Sequence, residues 1–185
     1  MATHTREDRA RRNNFWRLAT WGGAACLLLL PLVAMHWFPG SGVDWTLSDF
    51  VVMGALLSIA CGTCELVWRA SGTFYRAAAG LAILTGFLTV WVNLAVGMIG
   101  DEDNPYNLLF AGVLAIAVCG AAFARLRARG MALAMAAAAL AQAVVSGVAL
   151  AGGSDVLGAL CSGAFAVPWL LCALLFEVAG RHAPA

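Results

Sequence analysis

Residues 77–99 read AAAGLAILTGFLTVWVNLAVGMI, with no charged side chain from Ala77 to Ile99. Arg76 precedes the run and Asp101 follows it closely. Roughly 20 apolar residues wind into a helix long enough to cross the hydrocarbon layer of a bilayer, and a run of this length asks for lipid rather than a soluble core. Five further runs have this character: Leu18 to Phe38, Phe50 to Trp68, Leu108 to Ala124, Met131 to Ala151 and Gly158 to Phe176. Pro31 interrupts the first and Pro168 the last; neighbouring helices can cover the carbonyl that such a kink frees. The composition agrees: 62% of the 185 residues are apolar and 11% charged, against about 25% charged in an ordinary soluble domain.

The charges orient the six expected spans. All eleven basic side chains are arginine. With the N-terminus inside, Arg6, Arg9, Arg11, Arg12, Arg17, Arg69, Arg76, Arg125, Arg127, Arg129 and Arg181 all fall on the inner side. The outer loops carry Asp44, Asp49, Asp101, Glu102, Asp103 and Asp155. This is the positive-inside pattern. An odd number of spans would place Arg181 outside. The expected architecture is therefore all-α, six transmembrane helices as three helical hairpins, both termini cytoplasmic. Residues 1–17 form an Arg-rich cytoplasmic tail, 18–70 the first hairpin, 71–130 the second, 131–177 the third, and 178–185 a cytoplasmic tail. Trp16, Trp21, Trp68 and Tyr75 lie near the inner interface; Trp37, Trp45 and Tyr106 lie near the outer. Arg11-Arg12 with Phe15 only distantly imitates a twin-arginine signal, so the first span is expected to be a retained anchor. The basic tail lacks the interleaved aromatics of a nucleic-acid surface, and anionic lipid is its expected partner.

An internal repeat at an offset of 58 residues places Asp49 to Leu56 over Asn107 to Leu114, Cys61-Gly62 over Cys119-Gly120 and Arg69 over Arg127. Upstream, Thr46 lies over Asn104. Thr46 with Asp49 has the spacing of a capping box, and Asn104 before Pro105 places a cap ahead of a proline at the first helical position. Ser154-Asp155 offers a cap to the last span. On span two Gly54, Ser58 and Gly62 form a small-residue stripe, matched in part by Gly112 and Gly120 on span four. Such stripes let helix backbones approach, within the bundle or against a partner or second copy. Span five, nearly half alanine, suits a crowded position.

Few side chains offer chemistry. Glu65 is the one acid well inside a span, by default a candidate proton or ion site. It also stands four residues before Arg69, as Glu177 does before Arg181, and a helix-end ion pair is the plainer expectation. Cys61-Gly-Thr-Cys64 has redox spacing, yet sits in an apolar helix where free cysteine acts as a small hydrophobe. Asn93, His36 and Gln142 could line an outward-facing polar pocket; hydrogen bonding between helices accounts for Asn93 and Gln142 more simply. The Asp101–Asp103 cluster lacks the alternating ligands of a calcium loop. No phosphate-cradling glycine loop, His-x-x-x-His pair, nucleophile elbow or lysine occurs. The expected catalytic set, metal set and cofactor are accordingly none.

Residues 43–57 (VDWTLSDFVVMGALL), with Tyr75-Arg76 and residues 91–107 (WVNLAVGMIGDEDNPYN), resemble a group of small polytopic bacterial inner-membrane proteins without an assigned activity. The resemblance spans about residues 40 to 152. It implies a bacterial inner membrane and adds no site residues. The leading functional expectation is a non-enzymatic accessory or scaffold subunit acting through helix packing. A small-solute or ion transporter using Glu65, Asn93 and Gln142 is the alternative, and a membrane enzyme the third.

Overall fold

The protein is described by a computed structural model. It covers residues 2–38, 40, 42–68, 72–101 and 103–182, with side chains from Asn14 onward. Arg69, Ser41, Ser71 and Glu102 lie outside the described residues. The described chain is helical, with no strand among its residues: α1 (Ala2–Trp37), α2 (Leu47–Trp68), α3 (Thr73–Ala95), a 3-10 turn at Pro105–Leu108, α4 (Leu109–Phe123), α5 (Ala128–Ala151), α6 (Val156–Ala164) and α7 (Ala166–Arg181). Six segments among these are long and apolar enough to cross a membrane: Asn14–Trp37, Leu47–Trp68, Thr73–Ala95, Pro105–Phe123, Ala128–Ala151 and Val156–Arg181. Large apolar side chains stand exposed along them, Phe123 at 88% among them. In water such surface would aggregate; against acyl chains it is at home. The chain is thus a helical protein of multi-pass membrane type.

The helices and the apolar runs do not share the same bounds. Residues 2–17, the Arg-rich stretch, are helical and continuous with the rest of α1. Arginine, alanine and glutamate are good helix formers and no glycine or proline interrupts them. Pro31 does not break α1, which runs on to Trp37. The third span ends at Ala95, four residues before the apolar run does. Gly97 then turns with φ +73° and Gly100 with φ +69°, conformations that favour glycine.

The cap expectations hold. Thr46 N donates to Asp49 Oδ2 at 2.7 Å. Asn104 Oδ1 accepts from Tyr106 N at 3.1 Å ahead of Pro105, and Asp155 Oδ2 accepts from Gly158 N at 2.6 Å. The sixth span is interrupted at Phe165, between α6 and α7. A proline ring clashes with the carbonyl four residues earlier, which for Pro168 is Ala164, the last residue of α6.

The chain divides into two compact units, Met1–Glu65 and Leu66–Ala185. In the first, α1 and α2 meet through side chains: Leu28 lies 3.7 Å from where a Cβ on Gly54 would stand, and the Cys61 thiol reaches the Thr20 carbonyl at 3.7 Å. In the second, α5 is the central helix. It packs against α4, α6 and α7, while α3 leans on α7 and touches α4 only sparsely. The core joins Ala78, Phe110, Val113, Met135, Ala138, Trp169, Cys172 and Phe176. The alanines of α5 let these neighbours approach, as its composition predicts. The turn from α4 to α5 holds two residues without glycine's freedom at positive φ, Arg125 at 49° and Leu126 at 59°. Each costs about 1 kcal/mol or more. The Tyr75 hydroxyl donates to the Leu126 carbonyl at 2.7 Å and holds the turn in place.

Candidate functional site

Three polar clusters sit on this scaffold, and each gathers residues that the sequence marks as candidates. The first is in the Met1–Glu65 unit. Glu65 Oε1 accepts from Arg17 Nε at 3.0 Å and from Trp21 Nε1 at 2.8 Å. Arg17 and Trp21 are four apart on α1 and so share one helix face. The expected partner Arg69 lies outside the described residues. The corresponding pair on α7 does form, with Arg181 Nε 3.4 Å from Glu177 Oε1.

The second cluster is at the break in the sixth span. Gln142 on α5 is fully buried. Its Nε2 donates to the Ser162 carbonyl at 2.8 Å. The same carbonyl accepts from Phe165 N at 3.1 Å, a tightened turn that closes α6. Ser146 and Ser162 hydroxyls lie 2.9 Å apart beside it, and Ser146 Oγ also donates to the Gln142 carbonyl at 3.1 Å. Gln142 therefore covers a carbonyl beside the proline break, joining α5 to α6, as buried amides in spans commonly do.

The third cluster was not legible as a site. Asn107, 4% exposed, gathers the loop that follows α3. Its Oδ1 accepts from Met98 N at 3.1 Å and Ile99 N at 3.0 Å. Its Nδ2 donates to the Asp101 carbonyl at 2.7 Å. Asn93 Nδ2 in turn donates to the Asn107 backbone carbonyl at 3.1 Å. Met98 and Ile99 of this loop are buried, Ile99 completely. Asn93 is thus a latch on the α3–α4 connection. The only signal in the sequence was the Asn104-Pro105 cap, which places Asn107 near the start of a helix and says nothing of the loop it binds.

The remaining candidates do not converge. His36 is exposed, edge-on to Trp37 with ring centroids 6.3 Å apart. Cys61 is buried and Cys64 half-buried, both as thiols. Ser58 returns its hydroxyl to the Gly54 carbonyl at 2.7 Å. Within the Met1–Glu65 unit the glycine stripe on span two makes no backbone approach: a Cβ on Gly62 would meet nothing within 4 Å, and one on Gly54 only the Leu28 side chain. Gly112 is open as well, whereas a Cβ on Gly120 would stand 2.6 Å from Ala134 Cβ. Gly120 is the tight contact of the set, where α4 crosses α5. Among the described residues no three of His, Cys, Asp and Glu gather as a metal site. Comparison with family models, curated proteins and solved structures finds no match.

Proposed function

We propose that this protein is an accessory or scaffold subunit of a bacterial inner membrane, working through helix packing rather than catalysis. One observation carries the proposal. Glu65, Asn93 and Gln142, the polar side chains that a transport path would use, each bond to a group of the protein itself, tying helix to helix or helix to loop. A working partner is then another membrane protein or a second copy, met through apolar faces. Purification from native membranes in mild detergent, followed by mass determination, tests this. A defined assembly is expected, either a second copy or a membrane protein in fixed ratio, unchanged by Glu65→Gln, Asn93→Ala or Gln142→Leu. A monomer under the same conditions would count against it.

A transporter is the second reading. Asn93 Oδ1, Gln142 Oε1 and Trp169 Nε1 are buried in the Leu66–Ala185 unit with no hydrogen-bond partner among the described residues. Unpaired buried polar atoms are costly, and with a broken span nearby they suit a polar guest. Stabilisation of the monomer by a small solute, lost in Gln142→Leu, would favour this reading over the first.

The arrangement we propose is three hairpins with both termini cytoplasmic. Leu28 against Gly54 and Thr20 against Cys61 support an antiparallel first pair, since residue number rises in one helix as it falls in the other. The sequence match at an offset of 58, with a capped helix start at Thr46 and at Asn104, supports descent of spans two and four from one ancestor. In a cysteine-free background, cysteines placed at Asn104 and Ser154 are expected to react with an impermeant maleimide from outside intact cells. Cysteines at Thr5 and Ala128 should react only after lysis. Labelling of Ala128 from outside would overturn this topology.

A further inference from the structure

Gln142 Oε1 and Trp169 Nε1, an acceptor and a donor in the interior of the Leu66–Ala185 unit, have no hydrogen-bond partner among the described residues. Gln142 is 0% exposed and Trp169 2%. The amide cannot turn over to satisfy its oxygen. Nε2 already serves the Ser162 carbonyl, and an oxygen in its place would meet that carbonyl lone pair to lone pair. The neighbouring hydroxyls are engaged as well. Ser162 Oγ donates to the Ala159 carbonyl at 2.8 Å, and the Ser146 proton goes to Ser162 Oγ or to the Gln142 carbonyl.

The two atoms belong to one place in the bundle. α5 runs antiparallel to α6 and α7: Ser146 Cβ lies 3.4 Å from where a Cβ on Gly163 would stand, and Arg129 Cγ 3.3 Å from one on Gly180. Gln142 and Trp169 both fall between these contacts. Measured from the first, Gln142 is four residues along α5 and Trp169 six along the opposite span, about 6 Å and about 9 Å by helical rise. Ser162 bonds to α5, and Trp169, seven residues on, shares its face. Side chains tilt toward the N-terminus of their own helix, so on antiparallel helices these two lean toward each other.

A guest here has to donate to the amide oxygen and accept from the indole N–H. A bare metal cation cannot accept, and needs several oxygens where Gln142 offers one. An anion without a proton cannot donate. An uncharged molecule that does both fits, and close-packed interiors seldom enclose a void wider than a water molecule. We infer that one resident water bridges Gln142 Oε1 and Trp169 Nε1, joining α5 to α7 beside the break at Phe165. Buried waters commonly take such places between otherwise unpaired polar groups. The bridge would serve a scaffold and a transporter alike, and rests on neither reading.

Proton NMR of the full chain in detergent, isotopically labelled at the tryptophan indoles, tests it. Of the seven indole signals, that of Trp169 is the one lost in Trp169→Phe. Its N–H proton is expected to show a dipolar contact to a slowly leaving water, opposite in sign in the rotating frame to the cross-peak of proton exchange. Gln142→Met keeps the length of the side chain and removes its oxygen. The water contact should then vanish and the indole proton shift upfield as its hydrogen bond is lost. Ser146→Ala removes a hydroxyl from the same cluster and should keep the contact. The wild-type contact is required whether or not the variants fold, and its absence would overturn the inference. So would a cross-peak of exchange sign alone, which marks opening to bulk water, or a contact to a molecule other than water. Full retention in folded Gln142→Met, or equal loss in Ser146→Ala, would do the same, since the water would then be held by other groups.

Discussion

Replacing Asn107 with alanine is expected to destabilise the protein by about 3 kcal/mol, since a buried group left without its partner costs roughly 1–3 kcal/mol. The amide serves three backbone groups at once: Met98 N, Ile99 N and the Asp101 carbonyl. Alanine offers none of them a partner, and burial of Met98 and Ile99 limits access by water. Asn107→Asp separates the two halves of the role. It keeps an acceptor for the two N–H groups, but turns a second oxygen toward the Asp101 carbonyl in place of the amide donor. An intermediate loss is expected. Thermal unfolding in detergent gives the magnitude. Hydrogen exchange gives the cause: protection at the Met98 and Ile99 amides should collapse in the alanine variant and persist in part in the aspartate variant. Wild-type melting together with unchanged protection at both amides would show that the loop is held by something else.

This loop also marks where the sequence stopped being informative. Val96 to Ile99 are apolar or glycine, and a composition suited to acyl chains is equally suited to a buried turn. What ends α3 at Ala95 is a glycine at positive φ together with an asparagine eight residues beyond Ile99, a contact that no helical period reveals. Glu65 shows the same limit. Its neighbour four residues on was visible from spacing, whereas Arg17, 48 residues away, could be found only once two helices were placed side by side. Local features were legible. The apolar runs located the six helices long and apolar enough to cross a membrane, short-range caps at Thr46, Asn104 and Asp155 located the starts of three of them, and the alanines of α5 marked the central helix. The extension of α1 through residues 2–17 lies in a polar stretch that no apolar run marks, although its residues favour a helix.

The glycines test the distinction between pattern and contact most sharply. Gly62 and Gly120 occupy equivalent places in the repeat, yet a Cβ meets open space at the first and Ala134 at the second, 2.6 Å from its Cβ and 3.3 Å from its Cα. Ala134 is buried on the central helix α5, so the neighbour cannot swing aside as a flexible side chain would. Gly120→Ala should therefore push α4 from α5 and destabilise by about 1–2 kcal/mol, and Gly120→Leu by about 3 kcal/mol, as overpacking does. Gly62→Ala should be neutral or stabilising by about 0.5 kcal/mol, because alanine is the better helix former where nothing is crowded. A double-mutant cycle isolates the contact. Ala134→Gly alone should cost up to about 1 kcal/mol through helix propensity, but combined with Gly120→Ala it makes room for the new methyl. The pair should then be more stable than the sum of its parts by roughly 1 kcal/mol, as for directly touching residues. Additive losses would mean that α4 and α5 do not meet at Gly120, and would return the small-residue pattern to a face that packs elsewhere.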